Sequence, residues 1–225
     1  DVLTLFIDDI PADDLKDICA RAYTTPKFSE ADIVTVTPLE DGIYLGGLSH
    51  GPTAAFKDMA MQLLGELFEY ELKRRHQVLN ILGATSGDTG SAAIEACRGR
   101  DALDVVILPP LGRTSEVQRR QMTTVLSPNI RNLAIRGDFD DCQDLVKGMF
   151  NDAPFRAEQR LAAVNSINWA RIAAQIPYYA HAALALGAPD RPVAFSVPTG
   201  NFGNVFAAWA ARRMGLPVER LVVGS

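Results

Sequence analysis

One lysine in this sequence stands where a cation is least welcome. In Ser49-His50-Gly51-Pro52-Thr53-Ala54-Ala55-Phe56-Lys57-Asp58, a Gly-Pro turn delivers Lys57 to the start of an apolar helix, with Thr53 as its expected cap. The positive end of the helix dipole and the apolar neighbours Ala54, Ala55, Phe56, Met59 and Ala60 both disfavour an ammonium. The free amine becomes easier to populate and can attack a carbonyl, which is the setting a Schiff-base lysine needs. The alternative is a surface lysine near a helix start. Two loops further along weigh against it.

The first is Ala84-Thr85-Ser86-Gly87-Asp88-Thr89-Gly90, which follows a strand pattern and opens a helix. Open α/β sheets place their ligands at that carboxyl edge. Backbone N–H groups at a helix start, joined by the hydroxyls of Thr85, Ser86 and Thr89, suit a carboxylate. The competing reading is a helix cap using Ser86 or Asp88. The second loop is Val197-Pro198-Thr199-Gly200-Asn201-Phe202-Gly203-Asn204, again between strand and helix, with two glycines that let the backbone approach a bulky anion. It reads as a phosphate cradle, though a lone G-x-x-G also occurs in purely structural turns. Neither loop is G-x-G-x-x-G, and Walker-A spacing is absent.

A third constellation is Asn165-Ser166-Ile167-Asn168-Trp169-Ala170-Arg171, where amides, a hydroxyl and an arginine enter a helix together. Arg171 could fork onto a phosphate; alternatively, Asn168 is an N-cap and Arg171 a solvated side chain. The polar run from Gly112 to Gln121 reads as helix capping and decoration.

The elements that must hold these groups are legible from periodicity. Residues 1–22 read as one helix ended by Pro26, and residues 33–37 and 43–45 as a hairpin about Asp41-Gly42. Residues 56–75 carry Phe56, Met59, Ala60, Leu63, Leu64, Leu67, Phe68 and Leu72, an apolar stripe at helical spacing. Strands are expected over 78–84, 105–108, 130–136 and 193–197, with helices over 89–98, 115–125, 141–150 and 203–214. Strand–helix alternation implies α/β architecture, with parallel sheets and helices on both faces. Residues 169–186 read as a helix kinked at Pro177. The expected division is a small α/β domain with its N-terminal segment over 1–162, and the start of a larger domain over 163–225. The chain opens on Asp1 without an initiator methionine and stops at Val222-Val223-Gly224-Ser225, immediately after an expected buried strand whose partners should follow. It reads as an excised segment, its second domain incomplete.

The 225 residues are 48% hydrophobic with a net charge of −5, enough for a sizeable core and without a nucleic-acid footprint. Cys19, Cys97 and Cys142 and the three histidines lack metal-ligand spacing, so no metal is expected and the thiols read as free. No apolar run reaches the roughly 18 residues of a membrane span. A cytoplasmic, membrane-free protein is the expectation.

Taken together, these segments resemble the threonine synthases, pyridoxal-phosphate enzymes of fold type II, the tryptophan-synthase-β fold. The likeness rests on His-Gly-Pro-Thr-x-x-Phe-Lys-Asp, Ser-Gly-Asp-Thr-Gly, Pro-x-Gly-Arg-x-Ser-x-x-Gln-x-x-Gln, Asn-Ser-x-Asn and Gly-Asn-Phe-Gly-Asn in that order. It implies that Lys57 binds pyridoxal 5'-phosphate covalently and acts as proton shuttle, and that Gly200, Asn201, Phe202, Gly203 and Asn204 hold the cofactor phosphate. Thr85, Ser86 and Thr89 are implied for the substrate carboxylate, and Ser166, Asn168 and Arg171 for the phosphate of O-phosphohomoserine. Asp88 stands where many relatives of the fold place an asparagine beside the cofactor's 3'-oxygen, so its carboxylate must share a proton or accept from a neighbour. The resemblance also implies that the hydroxyl facing the pyridine nitrogen lies beyond residue 225, leaving this segment alone inactive. Another fold type II lyase on a phosphorylated or hydroxy amino acid, or a non-catalytic phosphate-binding domain, are the alternatives.

Overall fold

Pro11 sets the first boundary, because its ring fixes φ and removes a donor, so it suits the edge of a helix and not its interior. In the computed structural model, which describes every residue except Pro26, Ser166, Ile167 and Ser225, Pro11 is the N-cap of α1 (Ala12–Ala22). Before it lies only a short 3-10 turn, Leu3–Leu5, so the single helix expected over 1–22 is divided. Pro26, expected to end it, lies outside the described residues. The Asp41-Gly42 turn closes an antiparallel hairpin of β1 (Thr35–Glu40) and β2 (Ile43–Gly47), Gly42 supplying a φ of 77°.

Next comes α2 (Lys57–Arg75). Its residues 57–66 are buried on every side, wider than the single stripe expected, and the burial takes Asp58, Gln62 and Glu66 with it. Buried carboxylates need partners. Arg100 Nη2 lies 2.7 Å from Glu66 Oε1, and the same guanidinium pairs with Glu69.

The chain folds as two compact units, one of residues 1–60 with 166–225 and one of 61–165. This partition differs from the continuous stretches expected, 1–162 and 163–225, because side chains such as Phe28 and Met59 share a core with Ile172, Ile176, Val197 and Val205. No periodicity reports a contact between segments so far apart in sequence.

The unit of residues 61–165 is a four-stranded parallel sheet in the order β5-β4-β3-β6, built from β3 (Leu79–Ala84), β4 (Leu103–Leu108), β5 (Ile130–Asn132) and β6 (Leu161–Ala162). Between them run α3 (Asp88–Cys97), α4 (Glu116–Thr123), α5 (Phe139–Asn151) and α6 (Ala153–Glu158). Adjacent strand residues point to opposite faces. Leu82 packs with Leu108 and Cys142 of α5, while the neighbouring Ile81 is buried on the other side, so both faces are covered. β5 is shorter than the expected 130–136, since Pro109 and Pro110 offer no donors and only a Pro110–Ile135 bridge continues the pairing. α6 and β6 are too short for a period to announce them. The return of β6 to the far side of β3 puts the carboxyl end of β3 at a topological switch point, where such sheets bind ligands.

The other unit continues with α7 (Trp169–Ala173), α8 (Ile176–Ala185), β7 (Val193–Val197), α9 (Gly203–Arg213) and β8 (Val218–Val223). The helix expected over 169–186 is two helices, with Pro177 at the second position of α8, where its missing N–H breaks no bond. β7 and β8 pair in parallel. Within these 225 residues Val218 of β8 is buried, and Val222 and Val223 are 47% and 37% exposed. Apolar residues at successive positions face both sides of a strand, and α9 packs on one. Among the described residues no helix is long and apolar enough to cross a membrane, and no group of His, Cys, Asp and Glu could hold a metal ion.

Candidate active site

Lys57 is the first residue of α2 and is 9% exposed, with Nζ 5.2 Å from the centroid of the Phe56 ring. The surface reading of this lysine is therefore excluded. Thr53, expected as the helix cap, lies four residues before the first residue of α2. Its N–H and hydroxyl instead donate to the two carboxylate oxygens of Asp58, the residue after Lys57, each at 2.8 Å. Burial raises the Asp58 carboxyl above the ordinary value, and these two donations oppose the shift. The Gly-Pro-Thr segment thus wraps the Asp58 side chain, and a Cβ on Gly51 would lie 2.5 Å from Asp58 Cβ. Ala54 completes the wrap with a φ of 56°. Gly51→Ala is expected to cost ~1–3 kcal/mol through overpacking against a bonded, immovable carboxylate. A thermal melt checks it, and an unchanged midpoint would mean that the turn yields freely.

The loop before α9 belongs to the same unit. Phe202 at the N-cap makes no side-chain capping bond, so the first N–H groups of this 11-residue helix are not taken up by a cap. A Cβ on Gly200 would meet nothing within 4 Å, and Thr199 Oγ1 is buried without a hydrogen-bond partner. Uncommitted helix N–H groups, an orphaned hydroxyl and open space beside a glycine fit an anion with several acceptor oxygens. The Asn204 side chain turns away into the core, its Oδ1 accepting from the Tyr179 hydroxyl at 2.7 Å and from Tyr178. A ligand would thus meet the backbone of Asn204 rather than its carboxamide oxygen.

Arg171 is 2% exposed, which rules out the solvated reading, and burial lowers its guanidinium pKa to about 10. Asn168 is the N-cap of α7, its Oδ1 accepting from Ala170 N at 2.9 Å. Ser166 lies outside the described residues. Met59 beside Lys57's turn, Ile172 beside Arg171, and Val197 and Val205 on either flank of the glycine loop share one core cluster. Packing of these neighbours places the three segments on one core of the unit.

In the unit of residues 61–165, the β3–α3 loop is organised by Thr85 and not by Ser86 or Asp88. The buried Thr85 hydroxyl oxygen accepts from Gly87 N at 3.0 Å and Gly90 N at 2.8 Å, leaving its one proton to give. Ser86 is exposed and Thr89 half-buried. Gln118 Nε2 donates to Asp88 Oδ1, so the neighbour Asp88 needs comes from α4. The Gly112–Gln121 run does more than cap a helix, although Ser115 does cap α4 by accepting from Gln118 N at 3.3 Å. Gly87 has a φ of 145°, and any Cβ there would collide with Gln118. Sequence reasoning passed over Gln118, Thr199, Gln175, Tyr178 and Tyr179. Gln118, inside a quoted motif, and Thr199, inside the quoted glycine loop, carried a signal that could have found them.

A family model described as pyridoxal-phosphate dependent enzyme matches residues 31–224. Threonine synthase of Corynebacterium glutamicum is 59% identical over 226 residues, covering 100% of this chain and 47% of the relative. The crystal structure of pyridoxal-phosphate-bound threonine synthase from Brucella melitensis superposes with a TM-score of 0.91 at 50% identity, covering 99% of this chain and 48% of that one. Yeast threonine synthase gives a TM-score of 0.89 at 42% identity, covering 99% and 46%. The chain spans about half the length of the curated relatives it matches.

Proposed function

This chain belongs to the pyridoxal-phosphate dependent enzymes, of fold type II, and from that premise we propose that the protein it forms part of is a threonine synthase, converting O-phospho-L-homoserine and water to L-threonine and phosphate. The observation that carries the reading is the single core that joins the first turn of α2, both flanks of the glycine loop and α7. A lysine and two anion-ready groups on one core suit a phosphorylated cofactor and a phosphorylated substrate.

When bound, pyridoxal phosphate supplies an electron sink for the pair left at the substrate's Cα. Lys57 would hold it covalently, then move protons at the substrate's Cα and Cβ with its released amine. The N–H groups of residues 200–204 and the Thr199 hydroxyl would hold the cofactor phosphate, and Asp88, oriented by Gln118, would serve the 3'-oxygen. Ser86 and Thr89 would donate to the substrate carboxylate, with Thr85 shaping their loop and offering its remaining proton. Arg171, with Asn168 and Ser166, would bind the phosphate that leaves from Cγ, and its charge would stabilise that departure. The proposed substrate is a small molecule, and a cytoplasmic location is part of the same proposal.

The test is turnover by the full-length protein. O-phosphohomoserine should yield threonine and inorganic phosphate in equal amounts, and a 2-oxo acid formed from phosphothreonine or threonine instead would favour a lyase or dehydratase. Gly200→Val should weaken cofactor affinity at least about tenfold while changing stability by no more than ~0.5 kcal/mol, because a Cβ there meets no protein atom within 4 Å. Unchanged affinity would remove the cradle.

A further inference from the structure

A chain of buried polar groups that none of the roles above uses connects the two anion-ready groups. Gln175 Nε2 donates to the backbone oxygen of Arg171 at 2.9 Å, and the Tyr178 hydroxyl lies 3.1 Å from Gln175 Oε1. The same hydroxyl reaches Asn204 Oδ1, which also accepts from Tyr179 at 2.7 Å. Gln175, Tyr178, Tyr179 and Asn204 are all buried. Burying so many polar groups is costly unless each is satisfied, and a satisfied network specifies one arrangement. Burial also holds both phenols well above their ordinary pKa, so they remain donors at any working pH. Tyr178 is the hinge of the chain. With one proton for two acceptors, it serves Gln175 or Asn204 in turn, so a small shift of α7 or α9 is felt by the other.

We propose that Tyr178 is a positioning residue that holds Arg171 and the glycine loop at a set separation, matching the distance between the substrate's phosphate and the cofactor's. This rests on the assignment of those two groups made above. Tyr179 bonds Asn204 and packs against the Tyr178 ring, Gln175 bonds the backbone oxygen of Arg171, and of the three only Tyr178 bonds both Gln175 and Asn204. The three residues should therefore leave different signatures.

In the full-length holoenzyme, Tyr178→Phe should raise both the Kd for pyridoxal phosphate and the KM for O-phosphohomoserine by about two- to tenfold. Tyr179→Phe should raise the Kd alone, and Gln175→Met the KM alone. A merely structural role would lower the melting temperature of all three without that division. Unchanged constants in Tyr178→Phe, or parallel changes in all three variants, would overturn the proposal. Gly200→Val and Arg171→Leu, run alongside, separate the two levels of failure. If they weaken cofactor and substrate while Tyr178→Phe moves neither, the positioning role falls and the site assignment stands. If they too are without effect, the assignment falls and takes the proposal with it.

Discussion

Lys57→Ala in the full-length enzyme is expected to lose the visible absorption of the lysine-bound cofactor and to turn over at least about 10³-fold more slowly. Two contributions are removed together, the covalent tether and the amine that moves protons at the substrate's Cα and Cβ. The protein should still fold. Lys57 opens an apolar helix whose packing comes from Met59, Ala60, Leu63 and Leu64, and the substitution leaves these side chains in place. Its neighbour Asp58 keeps both bonds to Thr53, so the turn should hold. Borohydride reduction of the wild type followed by peptide mapping checks the assignment directly. A pyridoxyl adduct on Lys16, Lys27, Lys73 or Lys147 would sink it.

Arg171→Leu is expected to leave the cofactor spectrum intact and to lower kcat/KM for O-phosphohomoserine by about 30- to 1,000-fold, the equivalent of ~2–4 kcal/mol of charge-assisted bonding. Arg171→Lys should recover only part, since an ammonium cannot reproduce the planar fork. The burial of Arg171 gives a second readout. Its folded pKa of about 10 lies below the ordinary guanidinium range, so between the two the unfolded chain binds the proton that the folded chain has lost. Stability of the cofactor-free wild type should therefore rise with pH across that window relative to the leucine variant. Unchanged kcat/KM in both variants, or a loss traced wholly to cofactor dissociation, would leave the substrate's phosphate without this partner.

Much of this was written locally. The Asp41-Gly42 turn and the strand–helix alternation from residue 79 onward follow from short-range rules, because a period or a φ above zero is a property of a few consecutive residues. Lys57, the hydroxyls of Thr85, Ser86 and Thr89, and the 200–204 loop were legible for the same reason. Pro177 is visible too, yet it starts a second helix instead of kinking one. A proline shows where a helix cannot continue, while packing decides whether the chain kinks or starts again.

What the sequence determined by itself was which residues could do chemistry and that they lie at strand–helix junctions. The tertiary structure decided what each has left to offer. Thr53 was free on paper to cap α2 and is committed to Asp58; Asp88 is held by Gln118 from 30 residues away; Arg171 is buried instead of solvated. The two tyrosines of α8, which no motif in the sequence marks, hold Asn204. Such commitments arise between groups remote in the chain. Hydrogen-bond partnership and desolvation depend on distance in space, falling away within a few ångströms, and spacing along a sequence carries that information only inside a single helix, turn or strand pair.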